Sequence, residues 1–202
     1  SDIDIVAGGP PCQGFSIIGQ RDPNDPRNRL FKEFVRVIDQ VNPKAFIMEN
    51  VFGLLSMEKG KVKDEIVDSL SKAGKGYIVT EPRVLIAKDY GVPQERRRVF
   101  FLGIRRDLSD KPLTYPEPTH GERKVVSSDG KVLIQPYVTV EQAIGNLPEE
   151  VVESFRSEPA PPMDYPKGRR TSYQKFIQGH SKKLFSHHTK NLLGLRMERI
   201  NY

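Results

Sequence analysis

The chain's single cysteine, Cys12, lies in the run Gly-Gly-Pro-Pro-Cys-Gln-Gly-Phe-Ser at residues 8–16, directly behind a short apolar segment at residues 3–7. Most free cysteines are small buried hydrophobes with no chemical duty. Two glycines, two prolines, a glutamine and a serine make a poor core, however, and a turn that follows a strand carries its side chains to the rim of a sheet. Ligands of α/β proteins bind at that rim, so Cys12 is a candidate nucleophile. A second apolar segment, residues 44–48, ends in Glu49-Asn50-Val51, which sets a carboxyl and an amide at another strand tip. A third pattern, Gln94-Glu95-Arg96-Arg97-Arg98, leads into an aromatic-rich strand at residues 99–104. A strand-end carboxylate is usually just solvated, and an arginine run is more often a basic edge than a site. As an ordered set, the three patterns are a much stronger signal than any one of them.

The elements that must position these residues alternate strand and helix. A strand at 3–7 precedes the cysteine loop. Leu30, Phe34, Val37, Ile38 and Val41 then recur at helical spacing, and Asn42-Pro43 closes that helix. The strand at 45–48 follows. Val62, Ile66 and Leu70 mark a second helix, which Gly74 and Gly76 should stop. Strands at 77–84 and 98–104 complete the pattern as an antiparallel pair. Beyond Arg106 the composition changes: Pro112, Pro116, Pro118, Pro136, Pro148, Pro159, Pro161, Pro162 and Pro166 punctuate a region of little periodicity. It reads as irregular structure with short helices at 141–145 and 192–200. The expected division is therefore 1–106 and 107–202.

A net charge of +6 and a pI near 9.4 favour a polyanionic partner over an acidic protein. One cysteine excludes a disulfide framework and a cysteine-based zinc site. His120, His180, His187 and His188 lack metal-ligand spacing, so no metal is expected. No stretch is apolar enough to span a bilayer and no secretory signal opens the chain, which reads as intracellular, in the cytoplasm (with the nucleoid) or the nucleus.

The segments GGPPCQGFS, ENV and QERRR, in this order and at these separations, resemble the cytosine-5 DNA methyltransferases. The likeness runs from residue 3 to about 105 and resumes at 138–148 and 187–200. It implies an α/β fold: a partial Rossmann-like class I methyltransferase sheet of the later strands only, ending in an antiparallel hairpin. A Pro-rich irregular region would then lead toward a target-recognition domain. The implied activity is methylation of a flipped cytosine in duplex DNA with S-adenosyl-L-methionine, in a restriction-modification or epigenetic setting. By resemblance Cys12 is the thiolate that adds to ring C6. Glu49 caps N3, for which it needs its own proton or a shared one, which partial burial can supply. Arg98 donates to O2, supported by Arg96. Asn50 holds the Cys12 loop against the Glu49 strand.

Pro11, Leu30 and Asn50 match cofactor neighbours. Gln13, Phe15 and Ser16 would touch the distorted duplex, for which base extrusion costs a few kcal/mol. Arg27 and Arg97 are phosphate or DNA contacts by the same reading, with Arg21 and Arg29 as weaker ones. The family's Gly-rich cofactor loop does not occur in these 202 residues. A fragment or split subunit is therefore expected, with a complementary polypeptide supplying the first strands and weak cofactor binding by this segment alone. A tRNA-methylating relative and a non-catalytic DNA-binding module of the same fold are the alternatives. The loop after Cys12 weighs against the first, and the presence of Cys12, Glu49 and Arg98 against the second.

Overall fold

The computed structural model describes residues 3–11, 30–148, 162–181 and 183–184, together with the backbone of 152–154 and 188–190. Two compact units divide the chain, residues 1–137 and 138–202. The first is built on a five-stranded sheet. Strand β1 (Ile5–Gly8) leads toward the cysteine loop, helix α1 (Phe31–Val41) follows, and β2 (Ala45–Val51) pairs parallel to β1. A 3-10 segment (Phe52–Gly60) and helix α2 (Lys61–Lys72) lead to β3 (Tyr77–Val79), β4 (Arg83–Ile86) and the long β5 (Arg97–Arg105). Strand β5 is antiparallel to β2 on one side and to both β3 and β4 on the other, giving the order β1-β2-β5-β3 with β4 beside β5.

The periodic positions bury one face of the sheet. Phe34 and Ile38 from α1, Ile66 and Leu70 from α2, and Phe46, Met48, Tyr77, Val99 and Phe101 from the strands form a single apolar cluster. Phe46 sits edge-on to Phe34 at 6.2 Å and to Tyr77 at 5.2 Å. The Tyr77 hydroxyl donates to the Pro43 carbonyl at 2.6 Å, and burial pushes its phenol pKa up. Helix α1 ends on Asn42, which takes the left-handed conformation (φ 51°) that asparagine tolerates better than most residues. Its side-chain oxygen then accepts the Lys75 N–H at 3.2 Å and so ties the end of α1 to the turn after α2.

Several expectations are corrected. Strand β1 starts two residues later than expected and ends one later, at Ile5–Gly8, because Gly8 still pairs with Met48. Helix α2 stops at Lys72, before either glycine, where Ala73 turns extended. The strand expected over 77–84 is present but split: residues 80–82 oppose only Phe101 and Leu102, a bulge at Pro82, which has no N–H for the ladder. The region after Arg106 is less irregular than its prolines suggest. Strands β6 (His120–Gly121), β7 (Val125–Val126) and β8 (Val132–Pro136) form a three-stranded sheet.

The boundary at 137/138 also lies well past the composition change at Arg106. Residues 107–137 are fastened to the preceding elements by side-chain hydroxyls that donate to backbone carbonyls in both directions. Thr80 donates to the Leu113 carbonyl at 2.8 Å, and Tyr115 donates to the Phe100 carbonyl at 2.7 Å. Tyr90 donates to the Pro116 carbonyl at 3.0 Å.

The second unit holds α3 (Val140–Ile144), β9 (Val152–Ser154), β10 (Met163–Asp164), α4 (Ser172–Gln178), β11 (Lys183–Leu184) and β12 (His188–Lys190). Strands β9 and β12 pair parallel, and β10 and β11 antiparallel. Both helices open with a capping box, Thr139 with Gln142 and Thr171 with Gln174. The expected helix at 192–200 lies outside the described residues.

Candidate active site

Strand pleat decides which of the candidate residues can meet. Along β2, Phe46, Met48 and Asn50 face the core, so Glu49 and Val51 face the other way. Along β5, Val99 and Phe101 face the core, which puts Arg98 on the face of Glu49. The register pairs Val51 with Arg98 and Glu49 with Phe100, so Glu49 and Arg98 are diagonal neighbours that long side chains can bridge. They do: Arg98 Nε lies 2.8 Å from Glu49 Oε1. Arg96, two residues earlier on the same side, brings Nη2 to 4.0 Å from the same oxygen. Arg97, of opposite parity, is exposed on the other side, and its carbonyl accepts Arg98 Nη1 at 2.8 Å. The Gln-x-Arg-x-Arg spacing is thus a strand period that delivers two guanidiniums to one carboxylate.

The neighbouring loop anchors the same corner. Lys88 and Glu95 form a short charged hydrogen bond, which raises the Lys88 pKa and lowers that of Glu95. Lys88 Nζ also stands 5.0 Å from the centre of the Tyr137 ring, and Tyr137 donates to Asp89 at 3.1 Å. The arginines therefore enter β5 from a braced turn.

The approach to Cys12 meets this site from β1. Asn50, 4% exposed, donates through Nδ2 to the Pro10 carbonyl at 3.1 Å, and its Oδ1 accepts the Val51 N–H at 2.8 Å. Both ends of the amide are thus turned to backbone, where they hold the Pro-Pro turn against the end of β2. Gly9 is the residue that sequence reasoning missed. A Cβ there would stand 3.2 Å from Glu49 Oε2, so the bare backbone leaves room for the carboxyl group. Gly8 is as constrained: a Cβ would come within 2.8 Å of the Phe34 ring. The signal for both was the Gly-Gly pair itself. A Gly9→Ala protein is expected to keep its fold and lose about tenfold in turnover, since small misplacements of a reacting group cost that much or more. Steady-state kinetics beside a thermal melt checks this; unchanged turnover removes Gly9 from the site.

Cys12, Gln13, Phe15, Ser16 and Arg27 fall outside the described residues, as do Arg21 and Arg29. Pro11 is exposed and Leu30 half-buried at the start of α1. Among the described residues no group of histidine, cysteine, aspartate and glutamate could hold a metal ion.

A family model described as C-5 cytosine-specific DNA methylase matches residues 1–197. The Type II methyltransferase M.AgeI of Thalassovita gelatinovora is 41% identical over 98% of this chain and 46% of its own length. M.DdeI of Desulfomicrobium norvegicum is likewise 41% identical, over 96% of this chain and 44% of its own. M.AquIA of a Picosynechococcus strain is 45% identical over 73% of this chain and 61% of its own. The crystal structure of a prophage-encoded DNA modification methyltransferase from E. coli superposes with a TM-score of 0.62 at 28% identity. It covers 89% of this chain and 45% of that one. The chain spans about half the length of the first of these relatives.

Proposed function

Since this chain belongs to the C-5 cytosine-specific DNA methylase family, we propose that it carries the reacting groups of an enzyme that methylates C5 of a flipped cytosine in duplex DNA. The observation that carries this reading is the Glu49 carboxyl held 2.8 Å from Arg98, beside a turn that Asn50 pins two residues before Cys12. The mixed α/β fold, with one parallel strand pair and an antiparallel β5, supports a partial class I methyltransferase sheet.

The proposed chemistry follows from the residue types. The Cys12 thiolate adds to C6 and breaks the C5=C6 double bond, and the electron pair moves to C5. Glu49 hydrogen-bonds N3 and offsets the charge that grows on the ring. Arg98 spends two N–H groups on Glu49 and the Arg97 carbonyl. A guanidinium has five N–H donors, so the others can reach O2 without releasing the acid. S-adenosyl-L-methionine supplies the electrophilic methyl group that C5 takes up. A base, by default water, then removes the C5 proton and Cys12 departs, restoring the aromatic ring.

Pro11 and Leu30 would form one apolar wall of the cofactor pocket, which still needs polar groups for the ribose and the amino acid. A complementary segment, from the same or another polypeptide, is proposed to supply these and to cover the sheet. Supporting this, β1 pairs only with β2 among the described residues, and Ile5 and Ile47 on the face of Glu49 are 59% and 38% exposed. Gln13, Phe15, Ser16, Arg27 and Arg97 are proposed to contact the opened duplex. No helix among the described residues is long and apolar enough to cross a membrane. The proposed setting is the intracellular one where DNA lies, in restriction-modification as for the Type II relatives.

The test is covalent trapping on duplex DNA carrying 5-fluorocytosine, which blocks the final deprotonation. The whole protein with its cofactor is expected to form a denaturant-resistant adduct, and Cys12→Ser to form none. An adduct with the serine protein overturns the nucleophile; trapping on tRNA but not on duplex DNA overturns the substrate.

A further inference from the structure

The two arginines beside Glu49 are held in different ways. Arg98 lies within β5, paired with Val51 on one side and Leu85 on the other. Its guanidinium has two partners of its own at 2.8 Å, Glu49 and the Arg97 carbonyl. Arg96 precedes the strand, is half exposed, and reaches one partner among the described residues, Glu49 at 4.0 Å. Its place therefore depends on the backbone of the turn that delivers it.

That turn, residues 87–96, is closed at its base. The Ala87 N–H donates to the Arg96 carbonyl at 2.9 Å, and the Lys88–Glu95 pair spans the next step. Between them a 3-10 turn (Ala87–Tyr90) ends on Gly91, in a left-handed conformation (φ 83°) that glycine takes at little cost. From outside, the turn is gripped by the approach to β6 and by Tyr137, the residue after β8. The Thr119 N–H donates to the Asp89 carbonyl at 2.9 Å. The His120 ring lies on Gly91, where a Cβ would come within 2.7 Å of it.

Tyr137 reaches both arms of the turn. Its backbone N–H donates to the Gly121 carbonyl at 2.9 Å, which fixes it to β6. Its hydroxyl donates to the Asp89 carboxylate at 3.1 Å on the first arm. Its ring centre stands 5.0 Å from Lys88 Nζ, and Lys88 holds Glu95 on the second arm. The Lys88 ammonium is thus shared by a carboxylate and an aromatic face, and each limits how far it can swing.

We infer that Tyr137 is a positioning residue for Arg96: through Lys88 and Asp89 it fixes the turn that brings the Arg96 guanidinium to Glu49. This rests on the reading of Glu49 as the acid on ring N3. It gives the small β6–β8 sheet, which carries none of the reacting groups, a part in the chemistry.

The experiment reads the rate of single-turnover adduct formation by the whole protein, with cofactor, on 5-fluorocytosine duplex. Duplex affinity and a thermal melt are measured beside it. Tyr137→Leu removes ring and hydroxyl together and is expected to slow the adduct about tenfold at unchanged affinity. Tyr137→Phe keeps the ring beside Lys88 and should lose only about threefold. Lys88→Met should also slow the adduct about tenfold, whereas Lys88→Arg, which keeps the cation, should stay within about threefold of wild type. A general loss of stability would not produce the next result. In an Arg96→Gln protein, Tyr137→Leu is expected to cost no further rate, because the group it places is gone. Tyr77→Phe loses a buried hydroxyl bond at the far end of β5 and should lower the melting temperature while leaving the rate alone.

A wild-type rate in Tyr137→Leu overturns the inference. So does a loss that repeats in full on Arg96→Gln. If Tyr137→Leu does not fold, the Lys88 proteins decide: a Lys88→Met protein at wild-type speed, or a Lys88→Arg protein as slow as Lys88→Met, overturns it as well. A wild-type protein that forms no adduct overturns the reading of the site itself, so the two failures are distinct.

Discussion

Replacing Glu49 by glutamine is expected to lower methyl transfer by about 10²- to 10⁴-fold, the usual worth of a positioned proton-transfer group. The amide keeps the size of the carboxyl, so Gly9 and Asn50 have no reason to move. It also keeps an acceptor for Arg98, whose Nε now lies 2.8 Å from Glu49. What it loses is the ability to exchange a proton with ring N3. The defect should therefore appear in kcat, with DNA affinity little changed and with slower formation of the trapped adduct. Removing Arg98 as alanine is expected to cost about 10²- to 10³-fold, by analogy with the loss of a donor at a developing negative charge. The two losses should not add, because each residue orients the other. Single-turnover kinetics of both single proteins and the double one checks this. Additive losses would separate the pair, and a Glu49→Gln protein at wild-type speed would remove the acid from the mechanism.

The largest stability effect is expected at Phe46. Its ring is fully buried, edge-on to Phe34 and Tyr77, and fills the space that Gly103 leaves on the paired strand. A Cβ on Gly103 would stand 2.2 Å from Phe46 Cε1. Phe46→Ala is expected to destabilise by about 3–5 kcal/mol, from lost burial and the cavity left behind. Gly103→Ala should cost about 1–3 kcal/mol or more by forcing the ring aside. Combining Gly103→Ala with Phe46→Leu should recover part of the second loss, since a smaller side chain makes room for the new methyl. Chemical denaturation of the wild type, Gly103→Ala, Phe46→Leu and the double protein measures this coupling; strict additivity would show that the ring and the glycine do not share the space.

The first unit was legible where the chain obeys one period at a time. Leu30, Phe34, Ile38 and Val41 mark α1, and Val62, Ile66 and Leu70 mark α2, because each helix buries a single stripe against one sheet face. The meeting of Glu49 with Arg98 and Arg96 was legible as a set of motifs, and the strand period explains it once the register of β2 and β5 is known. The contribution of Gly9 was hidden, because a missing side chain shows its purpose only when its neighbour is in place.

The region after Arg106 defeated pattern reading for two reasons. Its strands are two to five residues long, too short to display a period. Its attachment depends on Thr80, Tyr90 and Tyr115 finding carbonyls 15 to 33 residues away, which no local window contains. Helix α4 is a different case. The box Thr171-x-x-Gln174 announces its start in the sequence, but the prolines around it are the stronger local signal and point to turns.

Strand β5 pairs with three strands of the main sheet, β2 on one side and β3 and β4 on the other. Freeing it would sever every other strand of that sheet from its partners except β1 from β2. Backbone amides in such a position exchange with solvent only when the domain opens globally, while peripheral strands can fray at small cost. Arg98 rides on this strand next to the fully buried Val99. Its Cα is thereby anchored in the part of the unit that opens last, so the guanidinium reaches out from a fixed point.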